Sequence, residues 1–447
     1  MKSRRRSWTS STTAWERRSI SSASSTTCSA AGRVPSNRSR RATALTSGVL
    51  LQYVIAAVVT TAEGTANLLY APYLASYGYA LPSIGTLSAL FAIFRLVSRV
   101  PSGAAYRPAR AKRQLLLWLV VFTASTSGFA LVGGSLPLVV AITVVHGYAF
   151  GALGTINLAV TIDLTGGRRA GATMGWYTAA ISTGYAIGAF LGGALADAVS
   201  IVAAFAILGA LPALSGVLVL RLPTIDAPPH EVARGAGLRG LLVAHARVDP
   251  RVWLAFVVVL YINIVSDAID TFFPLYALAI GLPLAASGLL KGLKSGAATF
   301  IRFISGGVFR FVDHRTVNVW GVVLMSISTF LIPLFPTFAP LLVLFGVNGI
   351  CRGLLRVTSA ATVAEVRAEG QDVGIASGVY NAGLDVGAII GPAIGGVVAD
   401  SVGLGPMFQL VAIGSFLLYV GVSLASARGR AALSAGARLT PPRTRAT

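Results

Sequence analysis

The sequence predicts an all-α integral membrane protein, with twelve transmembrane helices arranged as two pseudo-symmetric six-helix bundles. Three observations carry that reading. Of the 447 residues, 55% are hydrophobic and only 11% are charged, and mean hydropathy is +0.75. A soluble domain carries roughly 25% charged residues, and surface-to-volume scaling leaves no interior large enough for so many apolar side chains. Apolar runs of about 20–27 residues follow one another from Gly48 onward, each enough to cross roughly 30 Å of hydrocarbon. Finally, the second half of the chain repeats the first.

Residues 1–46 hold ten Lys/Arg against one acid, Glu16, and lack the apolar run of a secretory signal. They read as a disordered basic tail, with an organellar transit peptide as the alternative. The first bundle, 47–220, is expected to place helices at 48–76, 83–105, 114–132, 137–162, 172–196 and 201–220. A central loop, 221–251, separates it from a second bundle, 252–427. Helices there are expected at 252–280, 284–309, 316–335, 340–364, 373–399 and 406–427, before a basic tail at 428–447.

Charge alternates along the connections. The odd-numbered ones contain no Lys or Arg, and two of them hold only Asp197 and Asp400. The even-numbered ones carry Arg107, Arg110, Lys112 and Arg113, then Arg168 and Arg169, then five arginines across 221–251, then Arg310, Arg315 and Arg367. By the positive-inside rule, both termini and every even loop are expected in the cytoplasm, and the chain in the plasma membrane. The net charge of +21, of which the tails hold +9 and +5, is therefore a topological signal and not a nucleic-acid footprint. Cys28 and Cys351 are too far apart in character and position to suggest a disulfide, and the four histidines form no metal-ligand pair. Without H-E-x-x-H, G-x-S-x-G or a nucleotide-binding loop, neither an enzyme nor a primary pump is expected, and no cofactor or metal.

Sliding the first half by 203 residues sets Gly175–Phe205 on Gly378–Phe408, with twelve of 31 positions identical. A one-residue adjustment sets His146-Gly147 on Asn348-Gly349. Duplicated six-helix units are a recurrent design of secondary transporters, with substrate held between the halves near the midplane.

The segment G-A-I-I-G-P-A-I-G-G supplies Gly387, Gly391, Pro392, Gly395 and Gly396 in the pattern G-x-x-x-G-P-x-x-G-G. Its first-half counterpart keeps Gly184, Gly188, Gly192 and Gly193, with Ala189 in place of the proline. Glycines on one face let helix backbones touch. The second connection begins with Gly103 and Arg107, and its repeat keeps Gly306, Arg310 and Asp313. On these motifs, over about residues 48–427, the chain resembles the major facilitator superfamily, and its glycine motifs resemble those of antiporters. That resemblance implies transport by alternating access, with helices 1, 4, 7 and 10 of the fold lining the cavity. It also implies that helices 5 and 11 meet the opposite half, where Gly188 and Gly391 are expected at the contact. The loop motif would clamp the halves in one state. Arg107 stands where that motif has an acid, or the loop is a residue shorter, and Thr143 stands where helix 4 of the family carries arginine.

Ionisable groups at membrane depth cost at least about 2.5–3.5 kcal/mol at a helix centre, so they are functional candidates. They comprise Glu63, Arg95, Arg99, Asp267, Asp270, Lys291, Lys294, Arg302, Arg352, Arg356 and Asp385, with Asn67 one turn from Glu63 and His146 beside Gly147. Two readings compete. In one, these residues are structural ion pairs: Asp267 or Asp270 with Lys294, and Asp385 with Arg352, while Arg99 and Arg302 snorkel to the headgroups. In the other, Glu63, Asp267 or Asp270 carries a proton, and Asn67, Arg95, His146, Lys294, Arg352, Arg356 and Asp385 bind substrate. Seven bases against four acids favour an anionic substrate. The expected function is proton-coupled export of an organic anion or amphiphile by a monomer whose partners are that small molecule, protons and the lipid bilayer. Uptake of a polar metabolite, or a non-transporting sensor of this fold, are the alternatives.

Overall fold

The computed structural model describes residues 37–165, 170–224, 250–308, 314–368 and 373–439. Of its two compact units, Met1–Ala42 is described only from Asn37, and Thr43–Thr447 holds every contact given below. The described residues form twelve α-helices: α1 Asn37–Ser76, α2 Leu81–Ala105, α3 Ala111–Val132, α4 Leu136–Thr165, α5 Ala170–Ala198, α6 Ile201–Leu220, α7 Pro250–Ala279, α8 Leu284–Val308, α9 His314–Phe330, α10 Phe338–Ala368, α11 Val373–Val402 and α12 Leu404–Leu439. Eleven are long and apolar enough to cross a membrane; the twelfth, α8, carries Lys291, Lys294 and Arg302. In hydrocarbon every backbone polar group must be paired inside its own segment, which is why apolar runs of this length fold as helices.

Helix ends follow local chemistry. Pro82 opens α2, where a missing N–H costs nothing, and the Ser200 hydroxyl accepts from the Ala203 N–H at the start of α6. Gly78 and its repeat Gly281 both take φ +81° in tight turns, a left-handed conformation that only glycine adopts freely. Two boundaries differ most from expectation. Helix α1 begins at Asn37, inside the stretch read as a tail, and α12 runs on to Leu439, past the expected end at 427. Hydropathy marks where hydrocarbon ends, not where a helix does, and the Ala, Arg and Leu of α12 continue to favour helix in water. The central loop lies almost wholly outside the described residues.

Helices α1 and α7 are the most enclosed and α6 the least, so many large apolar side chains on the outer helices, Leu131 and Trp176 among them, face outward. The halves meet along two seams, α5 on α8 and α11 on α2. A Cβ at Gly193 would strike the Leu284 carbonyl, and one at Gly396 the Leu81 carbonyl and Pro82; Gly85 and Gly288 reciprocate against Pro392 and Ala189. Gly188 and Gly391 do not sit on these seams. Gly184, Gly188 and Gly192 press on α1, while Gly387, Gly391 and Gly395 press on α7, each helix within its own half. The motif is thus two-faced: the spacing of four seats the parent bundle, and the final glycine, one residue round the helix, meets the other half.

Among the described residues, Arg107 makes no contact that would clamp the halves. Its guanidinium donates to the Ala104 and Tyr106 carbonyls, and Gln114 donates to that of Ala105, so together they cap the end of α2. Gly103 is exposed beside Thr155. Gly306 lies on α8 with its surroundings outside the described residues, as are Arg310 and Asp313.

Candidate functional site

Three polar pairs at successive depths join α1 to α4. Gln52 Nε2 donates to Asn157 Oδ1 at 2.8 Å, Glu63 Oε2 lies 3.1 Å from His146 Nε2, and the Tyr70 hydroxyl is 2.6 Å from Thr143 Oγ1. Glu63 and His146 are only 3% and 4% exposed. The imidazole stacks on Phe122 at 5.1 Å and packs against Phe91 and the edge of Phe129. The Glu63–His146 contact is at ion-pair distance but out of line for a hydrogen bond, and neither atom has another partner among the described residues. Thr143, the departure from the family pattern, thus bonds to Tyr70 where the family has a guanidinium.

Lysines on α8 make a second cluster. Lys294 Nζ donates to Asp270 Oδ1 at 2.6 Å, so of the two partners open on the sequence, Asp267 and Asp270, the structure has Asp270. Lys291 Nζ donates to the Asp270 carbonyl at 2.8 Å and to Asn67 Oδ1 at 2.8 Å, tying the second half to α1 of the first.

Asp385 departs from expectation. Its partner is Arg99, whose Nη1 donates to Oδ2 at 2.7 Å, with Arg95 Nη2 at 4.0 Å from Oδ1, and not Arg352. Arg99 therefore bonds across the halves instead of snorkelling. The reason is helix placement: α11 lies along α2, which turns Asp385 towards the arginines of the other half.

Between the halves lies a cavity of about 410 Å³ whose lining includes Glu63, Asn67, Arg95, Arg99, Asp267, Asp270, Lys291, Arg302, Arg352 and Arg356. A smaller one, about 60 Å³, is lined by Tyr70, Thr143 and His146 and shares Glu63, Asn67, Arg95 and Asp267 with the first. Glu63 and Asp267 thus stand at the junction. Arg356 donates to Asn263 Oδ1 at 2.8 Å, while its Nε and that of Arg352 are buried without a hydrogen-bond partner among the described residues. Six cations and three acids line the larger cavity, and two of those acids are engaged by His146 and Lys294. That environment suits a ligand with negative charge and several acceptors.

Sequence reasoning missed Asp197. Both carboxylate oxygens accept backbone N–H groups at the start of α8, from Leu284 at 3.0 Å and Ala285 at 2.8 Å, an anion on the positive end of a helix from the other half. Its recurrence as Asp400 in the repeat was the available signal.

Comparison with known proteins agrees with this architecture. Among curated proteins, an uncharacterised MFS-type transporter MJ1560 of Methanocaldococcus jannaschii is 21% identical over 359 residues, 79% of this chain and 92% of that protein. Multidrug resistance protein 1 of Bacillus subtilis is 23% identical over 332 residues, 71% of this chain and 81% of its own. Among solved structures, the nucleoside transporter NupG superposes with a TM-score of 0.68 at 14% identity, covering 85% of this chain and 98% of that one. A bacterial homologue of the human lysosomal transporter Spinster, inward-facing and occupied, gives 0.66 at 12% identity, over 85% and 96%. The family model of the Major Facilitator Superfamily matches residues 53–317 and 310–443. Because that match runs through both repeated halves, the chain belongs to the Major Facilitator Superfamily, and it is a multi-pass membrane transporter and not an enzyme.

Proposed function

We propose that the protein exports a small organic anion, or an amphiphile bearing an acidic group, in exchange for protons. The observation that carries the reading is Arg352: a guanidinium on the wall of the larger cavity, with its Nε buried and unpartnered and with Asp385 committed to Arg99 instead. A guanidinium stays charged at any working pH and offers a planar fork to a carboxylate or phosphate. Glu63, paired with His146 where the two cavities adjoin, is the leading proton carrier, and Asp267 the second. Asp270, held by Lys294, serves the site by fixing that lysine. The likeness to a multidrug resistance protein supports export. Uptake of a polar metabolite is the second reading; the uncharged Asn67, Tyr70 and Thr143 of the smaller cavity favour it, and a nucleoside transporter shares the fold.

Screening organic anions by thermal stabilisation of the purified protein tests the ligand class, since binding raises apparent stability by mass action. A hit should lose its effect as the neutral ester, and proteoliposomes loaded with it should show counterflow. Stabilisation by neutral amphiphiles alone would overturn the anion reading, and binding without counterflow would favour a sensor. For topology, we place both termini and the basic loops in the cytoplasm of a plasma-membrane protein. A thiol at Ser135 or Thr337 should then react with an impermeant reagent in whole cells and one at Arg234 should not.

A further inference from the structure

Two hydroxyls lie behind the imidazole of His146. Ser125 Oγ and Thr126 Oγ1 lie 3.3 and 3.2 Å from Nδ1, on the side of the ring away from Glu63. Each hydroxyl has one hydrogen, and each is closer to the Phe122 carbonyl, at 2.9 and 2.7 Å, which can only accept. With both hydrogens committed to that carbonyl, the hydroxyls face Nδ1 with lone pairs. Two acceptors around one ring nitrogen require Nδ1–H. The repeat contains the same device with a group that does not titrate: Ser328 and Thr329 both donate to the Met325 carbonyl, at 2.9 and 2.8 Å, and both accept from Asn348 Nδ2, at 3.4 and 3.1 Å.

We infer that Ser125 and Thr126 lock His146 in its Nδ1–H form, so that Nε2 faces Glu63 and the two buried groups hold one proton between them. The inference rests on the proton-coupled reading of Glu63 and gives it a mechanism. With Nδ1 already protonated, Nε2 brings either a lone pair or a second N–H to Glu63. If neither Nε2 nor the carboxyl carried a proton, two acceptors would confront each other at 3.1 Å away from water. One proton resolves this, either as Glu63–OH against neutral imidazole or as carboxylate against imidazolium, and the pair is neutral both ways. Losing that proton leaves a net negative charge that the surrounding groups must offset. Those groups are Arg95 on α2, Tyr185 on α5, Asp267 on α7 and Lys291 on α8, with Tyr70 on α1 itself. Arg95 and Lys291 supply positive charge, Asp267 opposes it, and helix movement that changes their approach would load or unload the pair. His146 is therefore a positioning residue for the proton, and Ser125 and Thr126 position His146.

The test needs no substrate. Protein labelled with ¹⁵N-histidine in lipid nanodiscs is observed by NMR at neutral pH, and the His146 signals are assigned by their loss in His146→Gln. The expected result is a protonated Nδ1. In Ser125→Ala/Thr126→Val, Nδ1–H loses both acceptors, and a ring protonated at Nε2 alone should appear in its place. The matched pair Ser328→Ala/Thr329→Val disturbs the same packing beside Asn348 and should leave the Nδ1–H signal unmoved. Nε2–H without Nδ1–H in the wild type, or an Nδ1–H signal unchanged by the first pair, would overturn the inference. Glu63 as the carrier would stand or fall separately, on transport by Glu63→Gln.

Discussion

The α1–α4 seam and its repeat, α7–α10, occupy corresponding places in the two halves and carry different side chains. At corresponding positions the first has Glu63 against His146 and the second Ser266 and Asn348; the first has Tyr70 bonded to Thr143 and the second Phe273 packed on Phe345 at 4.5 Å. The supporting shell was kept, for Ser125 and Thr126 have their twins in Ser328 and Thr329. The second half also carries positive charge at positions where the first has none. Lys291, Lys294, Arg352 and Arg356 stand where the first half has Ser88, Phe91, Phe150 and Gly154. On the proposed function the two contacts divide labour, one holding a proton and the other placing charge for a ligand.

The largest expected effect lies on the proton side. Glu63→Gln preserves shape and removes the titrating group, so gradient-driven accumulation of the anion found by thermal screening should be abolished while downhill exchange survives. The matched Ser266→Ala should leave accumulation at wild-type level. Equal losses in both would erase the contrast between the seams.

Next come the glycines. Gly193→Leu would drive a side chain into the backbone of α8, and Gly188→Leu into that of α1. Overpacking typically costs about 1–3 kcal/mol. At Gly193 the cost falls on one arrangement of the halves, so the variant should fold, bind ligand and turn over slowly. At Gly188 it falls on the first bundle in every state, so thermal stability and expression should drop instead. Reversal of those phenotypes would mean that the seams seen here are not the ones that open.

How far such contrasts could be read beforehand depends on what a sequence encodes. Hydropathy and the shift of 203 residues gave the twelve helices and their halves, since both are properties of position along the chain. The places of Asp385 and Arg99 along their helices were legible for the same reason. Their partnership was not, because it depends on which way each helix is turned and on α11 lying along α2 rather than on proximity in sequence. The same ignorance of azimuth misplaced Gly188 and Gly391 on the seams between halves. Nothing in the hydropathy of α3 marks Ser125 and Thr126; the shift of 203 residues, which sets them on Ser328 and Thr329, is the signal that singles them out.

On the charge side, Arg352→Gln should raise the half-saturating concentration for the anion about tenfold, the equivalent of one charge-assisted hydrogen bond at about 1.4 kcal/mol. For the neutral ester the change should be small. Its positional twin, Phe150→Leu, should affect acid and ester alike, because an aromatic wall does not read charge. If Arg352→Gln weakened both equally, Arg352 would be packing and the second seam would lose its assigned role.

The smallest effect tests whether the polar character of the first seam extends beyond the proton pair. Tyr70→Phe removes the hydroxyl that bonds Thr143 and leaves the Thr143 hydroxyl without that partner on the wall of the smaller cavity. A lost hydrogen bond of this kind is worth about 1 kcal/mol, which should appear as a modest fall in thermal midpoint. Phe273→Tyr is the reciprocal change and puts a hydroxyl against Phe345, where it should destabilise by a similar amount. The double variant Tyr70→Phe/Thr143→Val should recover part of the loss, because removing both partners strands neither. Should Tyr70→Phe and Phe273→Tyr both prove neutral, the two seams would differ only at Glu63 and His146. The proton pair would then be a local insertion into otherwise equivalent helix contacts, and not one rung of a polar ladder running the length of α1.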